Sequence, residues 1–416
     1  MEKILIKGGN KLSGSVKIES AKNSVLPLMA ASILTKEQVV IKNCPQIVDV
    51  LNMAEILNTL GVRTHFDGDN LIIDAKALDG YSIPKHLAEK LRSSVFMMGA
   101  LIARQKRASI SFPGGCDIGA RPIDIHISAL KSLGANVSEE EDKITCIGGY
   151  GIGCKIYLKY PSVGATENAM MAAVLARGKT EIHNAAKEPE IIDLMKFLNS
   201  MGAKVYGAGT SIILIEGVKK LHGTEYKPLS DRIEAGTYLL SAAITGGEVE
   251  LKNASAKNIS PLIHKLCDNT CKLSIKDDII YIKSGRERKA FSFSTGPYPF
   301  FPTDLQAQTT ALLCVSSGQS TVIENVFEKR FGHVLELAKM GAQIKVSGKV
   351  AHIQGVSRLF GAAVTAGDLR GGAALVLAGL NAEGQTLIDG AHHVKRGYLD
   401  IDKKFAALGA DIKFTQ

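Results

Sequence analysis

Six copies of one pattern, about seventy residues apart, constrain this chain more than any other feature. Leu60-Gly61, Leu133-Gly134-Ala135, Met201-Gly202-Ala203, Met340-Gly341-Ala342 and Leu408-Gly409-Ala410 each close an apolar, helix-like segment. In each, glycine sits where a helix C-cap is expected. A sixth, degraded copy reads Asn269-Thr270-Cys271. Successive copies lie 73, 68, 68, 71 and 68 residues apart, so six similar supersecondary units fill the 416 residues.

Every unit repeats one order of parts. A helix rich in small apolar residues comes first: 21–34, 91–103, 165–176, 233–244, 305–315 and 369–380. A strand, an irregular loop, a second helix with its cap and two further strands follow. The sixth unit ends before its last strand, and Ile4-Leu5-Ile6-Lys7 at the other end of the chain supplies the missing piece. These patterns predict an α/β protein of two similar globular domains, each of three pseudo-symmetric repeats with helices and mixed sheets. The first domain spans 22–229. The second combines 1–21 with 230–416, and an active site is expected in the cleft between them.

Composition excludes several classes. Fifty Lys and Arg against forty-one Asp and Glu give a net charge of +9, spread along the chain without a basic block. That argues against a nucleic-acid partner and suits a small anionic substrate. No apolar run reaches membrane-span length and the first residues lack secretory-signal features, so a cytoplasmic protein without membrane partners is expected. Seven scattered cysteines favour reduced thiols over a disulfide framework. Cys267 and Cys271, four apart, would share a helix face, but no second ligand pair supports a zinc site.

Chemistry concentrates in two places. Pro113-Gly114-Gly115-Cys116-Asp117-Ile118-Gly119-Ala120-Arg121-Pro122 is a glycine-rich loop leaving a strand, with one thiol five residues from a guanidinium. Taken alone, the loop fits a reactive thiol or an inert one. The starts of the first helices carry Lys22-Asn23, Arg92, Thr166-Glu167, Asp231-Arg232, Asp304, and Asp368 with Arg370. Asp231, Asp304 and Asp368 are good N-caps whatever the function. Lys22, Arg92 and Arg370 oppose the helix dipole, which favours an anion-binding reading.

These residues, in this order, resemble the enolpyruvyl transferases. The likeness spans nearly the whole chain and includes Ala21-Lys22-Asn23-Ser24, the Cys116 loop and Ser162-Val163-Gly164-Ala165-Thr166-Glu167-Asn168. It continues through Ala185–Glu190, Asp231–Thr237, Phe301–Gln308, Phe327-Glu328-Lys329-Arg330-Phe331, Gly367-Asp368-Leu369-Arg370 and Arg396-Gly397-Tyr398. The cysteine loop places it with the members that act on UDP-N-acetylglucosamine rather than on shikimate 3-phosphate. The resemblance implies an inside-out α/β barrel type of fold. It also implies transfer of the enolpyruvyl group of phosphoenolpyruvate to the sugar's 3'-hydroxyl, with no cofactor and no metal. It assigns Cys116 as the acid that protonates carbon and Asp304 as the base. Lys22, Arg121 and Arg396 would hold phosphate, and Arg330 and Arg370 the carboxylate. Asn23, Arg92 and Asp368 would fix the substrates. Arg121, Pro122, Ile123, Asp124 and Ile125, the turn Ser162-Val163-Gly164, and Val326 would position the uridine and sugar. Phe300, Lys329 and Lys395 depart from the usual pattern, and the two lysines would raise positive charge beside Arg330 and Arg396.

Overall fold

The computed structural model describes residues 2–112, 114, 119, 123–148, 151–285 and 287–415. Two compact units emerge: one holds the described residues of 20–114 and 123–229, the other those of 2–19 and 230–415 together with Gly119. Among the described residues each contains three four-stranded sheets built to one plan. A short edge strand runs parallel to its neighbour, and the remaining two pairings are antiparallel; Lys155–Tyr157 beside Lys179–His183, then Ile212–Glu216, then Lys204–Tyr206 is one example.

Chain ends and connectors complete the sheets. Lys3–Lys7 lies antiparallel between Gln385–Asp389 and Asp411–Thr415, with Ile4 opposite both Ile388 and Phe414. Ser13–Lys17 runs parallel to Glu248–Lys252, and Thr224–Tyr226 parallel to Val39–Ile41. These edge strands are absent from the sequence-derived plan. Pieces as short as Ser82–Ile83 and Phe293–Ser294 cannot display a period-two alternation.

The first helices carry small and apolar residues on nearly every face because they are buried on nearly every side. Leu369–Asn381 is buried from Leu369 through Leu380, and Arg232–Thr245 from Ile233 through Thr245. Strands instead alternate, as in Lys3–Lys7, where Ile4 and Ile6 are buried and Lys7 is exposed. Helices therefore form the interior, and the sheets show one face to solvent. Small residues permit the helix contacts: a Cβ on Gly99 would stand 2.4 Å from the carbonyl oxygen of Asn168. Among the described residues no helix is long and apolar enough to cross a membrane.

The repeated caps have one geometry. Gly61, Gly134, Gly202, Gly341 and Gly409 all have φ between 86° and 93°, the left-handed region open to glycine. Thr270 adopts φ 80° in the degraded copy, and the cap closes there too, with Cys271 N–H donating to Leu266 O at 2.9 Å. The preceding helix ends at Asp268, so Cys267 and Cys271 do not share a helix face. Cys267 is exposed and Cys271 buried. Among the described residues no His, Cys, Asp and Glu group could hold a metal.

Candidate active site

In the unit containing Ser230–Gln416, the irregular loops converge on Asp304. This residue lies in the 3-10 turn Thr303–Leu305, whose N-cap position is held by Pro302. Its carboxylate instead accepts from Arg330 Nη2 at Oδ1 (2.6 Å) and from Arg370 Nη2 at Oδ2 (3.0 Å). Asp231 and Asp368 do cap, each accepting two backbone N–H groups. Sequence cannot tell these acids apart, because the cations that claim Asp304 come from 26 and 66 residues away.

Both guanidiniums are buried, Arg330 at 5 % and Arg370 at 4 % exposure. Arg370 Nη1 donates to the Tyr398 hydroxyl at 3.2 Å, which also meets Thr237 Oγ1 at 2.8 Å and Gln308 Nε2 at 3.2 Å. Burial opposes the charge on Arg370, but Asp304, Tyr398 and Asp231 together outweigh it, so its pKa is raised. Arg330 Nη1 donates to Thr303 Oγ1 at 2.8 Å, while its buried Nε has no hydrogen-bond partner among the described residues. Burial pushes the neighbouring His333 down to about 4, so the ring is neutral. Arg396 caps the short helix Ala391–Lys395. Lys395 pairs with Glu2 at 2.5 Å and lies 4.2 Å from the Phe414 ring centre. Its charge is thus spent on the terminal strands rather than beside Arg396.

The other unit holds a second group. Lys22 opens the helix Lys22–Ala31 and its Nζ lies 3.2 Å from Asp49 Oδ2. Asn23 follows it, and Arg92 opens the 3-10 turn Arg92–Phe96; both are half-buried. Ser162 caps Val163–Ala173 by accepting from Ala165 N–H. Gly164 in its first turn has no room for a side chain: a Cβ would meet His126 Cε1 at 2.9 Å and Phe96 Cε1 at 3.1 Å. Ile123 and Ile125 flank Asp124, whose charge suits the N-terminus of the helix Asp124–Ser132. Asn168 orients His126. Its Oδ1 accepts from Gly99 N–H, so its Nδ2 donates both to Val95 O and to His126 Nδ1 at 2.8 Å. His126 then carries its proton, when neutral, on Nε2. Cys116, Arg121 and Pro122 lie outside the described residues.

A family model described as EPSP synthase (3-phosphoshikimate 1-carboxyvinyltransferase) matches residues 6–405. A UDP-N-acetylglucosamine 1-carboxyvinyltransferase 2 from Caldanaerobacter subterraneus subsp. tengcongensis is 52 % identical over 413 residues, 99 % of each chain. The chain belongs to the enolpyruvyl (1-carboxyvinyl) transferase family. A further relative, the UDP-N-acetylglucosamine 1-carboxyvinyltransferase of Finegoldia magna, is 48 % identical over 418 residues, again 99 % of each. Among solved structures, the enolpyruvyl transferase NikO from Streptomyces tendae shares the fold with TM-score 0.90. It is 24 % identical, over 100 % of this chain and 99 % of that one. EPSP synthase from Acinetobacter baumannii does so with TM-score 0.79 and 17 % identity over all of both chains.

In this enolpyruvyl transferase, the structure brings Asp304, Arg330 and Arg370 into direct contact, with Asp368 at the start of Arg370's helix. Sequence reasoning passed over Asp49, which neutralises Lys22, and Glu324, which organises the turn at Val326. Asp49 stands in an apolar helix and is only 1 % exposed. An acid that cannot be buried unpaired is the signal that was available there.

Proposed function

We propose that this protein transfers the enolpyruvyl group of phosphoenolpyruvate to the 3'-hydroxyl of UDP-N-acetylglucosamine, releasing phosphate. The reading rests on one observation: two buried guanidiniums share the single carboxylate of Asp304. Arg330 also keeps a buried Nε donor with no hydrogen-bond partner among the described residues. An incoming carboxylate fits this pair, since guanidinium forks match carboxylates. The relatives named for UDP-N-acetylglucosamine set the choice of acceptor.

The proposed sequence follows from these groups. The sugar hydroxyl adds to C2 of phosphoenolpyruvate while Asp304 takes its proton and Cys116 protonates C3. Loss of a C3 proton and of phosphate from C2 then yields the enol ether. Asp304 is engaged by both arginines. A substrate carboxylate that takes over the guanidiniums would free Asp304 when its proton must be received. Lys22, Arg121 and Arg396 would hold the phosphate; Ser162, Val163, Gly164, Ile123, Asp124, Ile125 and Val326 would position the sugar nucleotide, with Asn23, Arg92 and Asp368. Phosphate release from phosphoenolpyruvate, measured with UDP-N-acetylglucosamine and separately with shikimate 3-phosphate, tests the reading. Turnover only with the shikimate would overturn it.

A further inference from the structure

Glu324 follows the strand Gln319–Ile323, is 2 % exposed, and sends its two oxygens in different directions. Oε1 accepts from Val326 N–H (2.8 Å), Phe327 N–H (3.2 Å) and Thr295 Oγ1 (2.9 Å). Oε2 accepts from Thr303 Oγ1 at 2.9 Å. The Thr303 hydroxyl, having given its only proton to Glu324, can only accept from Arg330 Nη1, and does so at 2.8 Å. A second link returns to the same cation: Arg330 lies 5.0 Å from the centre of the Phe327 ring, and Glu324 holds that residue's N–H.

We propose that Glu324 is a positioning residue that sets both the Val326–Phe327 turn and the Arg330 guanidinium, joining the sugar-nucleotide and carboxylate sites. The proposal rests on the function given above. Its physical content is polarity. Only an ionised or acceptor-only oxygen at Oε2 forces the Thr303 proton away from Arg330. An amide NH2 there cannot accept that proton; it donates to the Thr303 oxygen instead, competes with Arg330 Nη1 for that acceptor and leaves the hydroxyl proton without its partner. In Glu324→Gln the amide oxygen stays on the three donors at the turn, and the NH2 faces Thr303. The turn is kept and the arm to Arg330 is broken. Glu324→Ala breaks both.

Steady-state kinetics on the full chain separates these arms. Glu324→Gln and Thr303→Val should each raise KM for phosphoenolpyruvate about tenfold, leaving KM for UDP-N-acetylglucosamine within about twofold. The double variant should be no worse than Thr303→Val alone, because both changes cut one arm. Additive losses, or an equal rise in both KM values for Thr303→Val, would overturn the proposal. A crystal structure of Glu324→Gln gives a readout independent of turnover: Arg330 Nη2 should leave Asp304 Oδ1, and an unmoved guanidinium would count against Glu324. Wild-type protein that releases no phosphate with UDP-N-acetylglucosamine would sink the functional reading instead, leaving the coordinates of the variant to decide this one.

Discussion

Arg330 Nη2 stands 2.6 Å from Asp304 Oδ1, and Nη1 of the same guanidinium holds Thr303 at 2.8 Å. One planar group thus fixes two neighbouring residues of the 3-10 turn at once. Lysine offers a single nitrogen on a flexible stem and cannot span both. Losing one charge-assisted hydrogen bond costs about 1.5–3 kcal/mol. Arg330→Lys is therefore expected to lower kcat/KM for phosphoenolpyruvate roughly 10- to 150-fold. Steady-state assays at saturating UDP-N-acetylglucosamine check this, and a change below about twofold would remove Arg330 from the site.

Glu167 predicts a pH dependence of stability. Its side chain is fully buried in the helix Val163–Ala173, and neither carboxyl oxygen has a hydrogen-bond partner among the described residues. Burial first, then the charges of Glu190 and Glu188, push its pKa well above the ordinary 4.5. The folded chain thus keeps a proton that the unfolded chain releases. Stability falls as pH rises above about 4.5, because the native state binds more protons than the unfolded one. Glu234, raised to about 7 by burial, adds to the fall between 4.5 and 7. Glu167→Gln imitates the protonated acid in both states and removes its share of the slope. Melting curves from pH 5 to 8 should show the variant gaining about 2–4 °C over wild type at the upper end. Parallel curves would mean that Glu167 is ionised in the folded protein.

Thr270 shows what the degraded repeat costs. A β-branched residue at φ 80° carries strain of about 1–2 kcal/mol, which glycine avoids. Its hydroxyl donates to Glu287 O at 2.6 Å in an exposed setting, a bond worth about 0.5–1 kcal/mol. Strain wins. Thr270→Gly should stabilise the protein by up to about 1 kcal/mol, read as a higher denaturant midpoint with an unchanged m-value. A destabilised variant would show that the hydroxyl matters more than the backbone.

The period of the fold was legible because each repeat ends in a left-handed cap, and glycine announces that conformation in sequence. Thr270 keeps the conformation without the residue, so the fourth copy is visible only through its spacing. The edge strands were illegible for a different reason. Ser82–Ile83 has two residues, and its pairing with Arg107–Ser111 is decided by tertiary packing rather than by local alternation. In the site, Arg330 and Arg370 stood out as cations among turns and helix starts. Glu324 did not, since an acid at the end of a strand looks solvated until its four donors are known. The same holds for Lys395, whose partner Glu2 lies 393 residues away in sequence.

Cysteine reactivity offers the sharpest test of the loop that sequence singled out. Burial pushes the thiol of Cys44 far up, Cys314 up to about 12 and Cys146 up to about 11. Thiolate is the attacking form, so these three are poor nucleophiles near neutral pH. Cys267 is exposed and serves as an internal control for access. An epoxide phosphonate, which imitates an anionic phosphoryl substrate, should alkylate Cys116 and spare Cys267, whereas iodoacetamide should label Cys267 as well. Peptide mass spectrometry reads both. Cys116→Ala should lose the phosphonate adduct and at least about 100-fold in turnover, the lower end of what a positioned acid contributes. An adduct found on Cys267, or one that persists in Cys116→Ala, would transfer the chemistry to a different thiol.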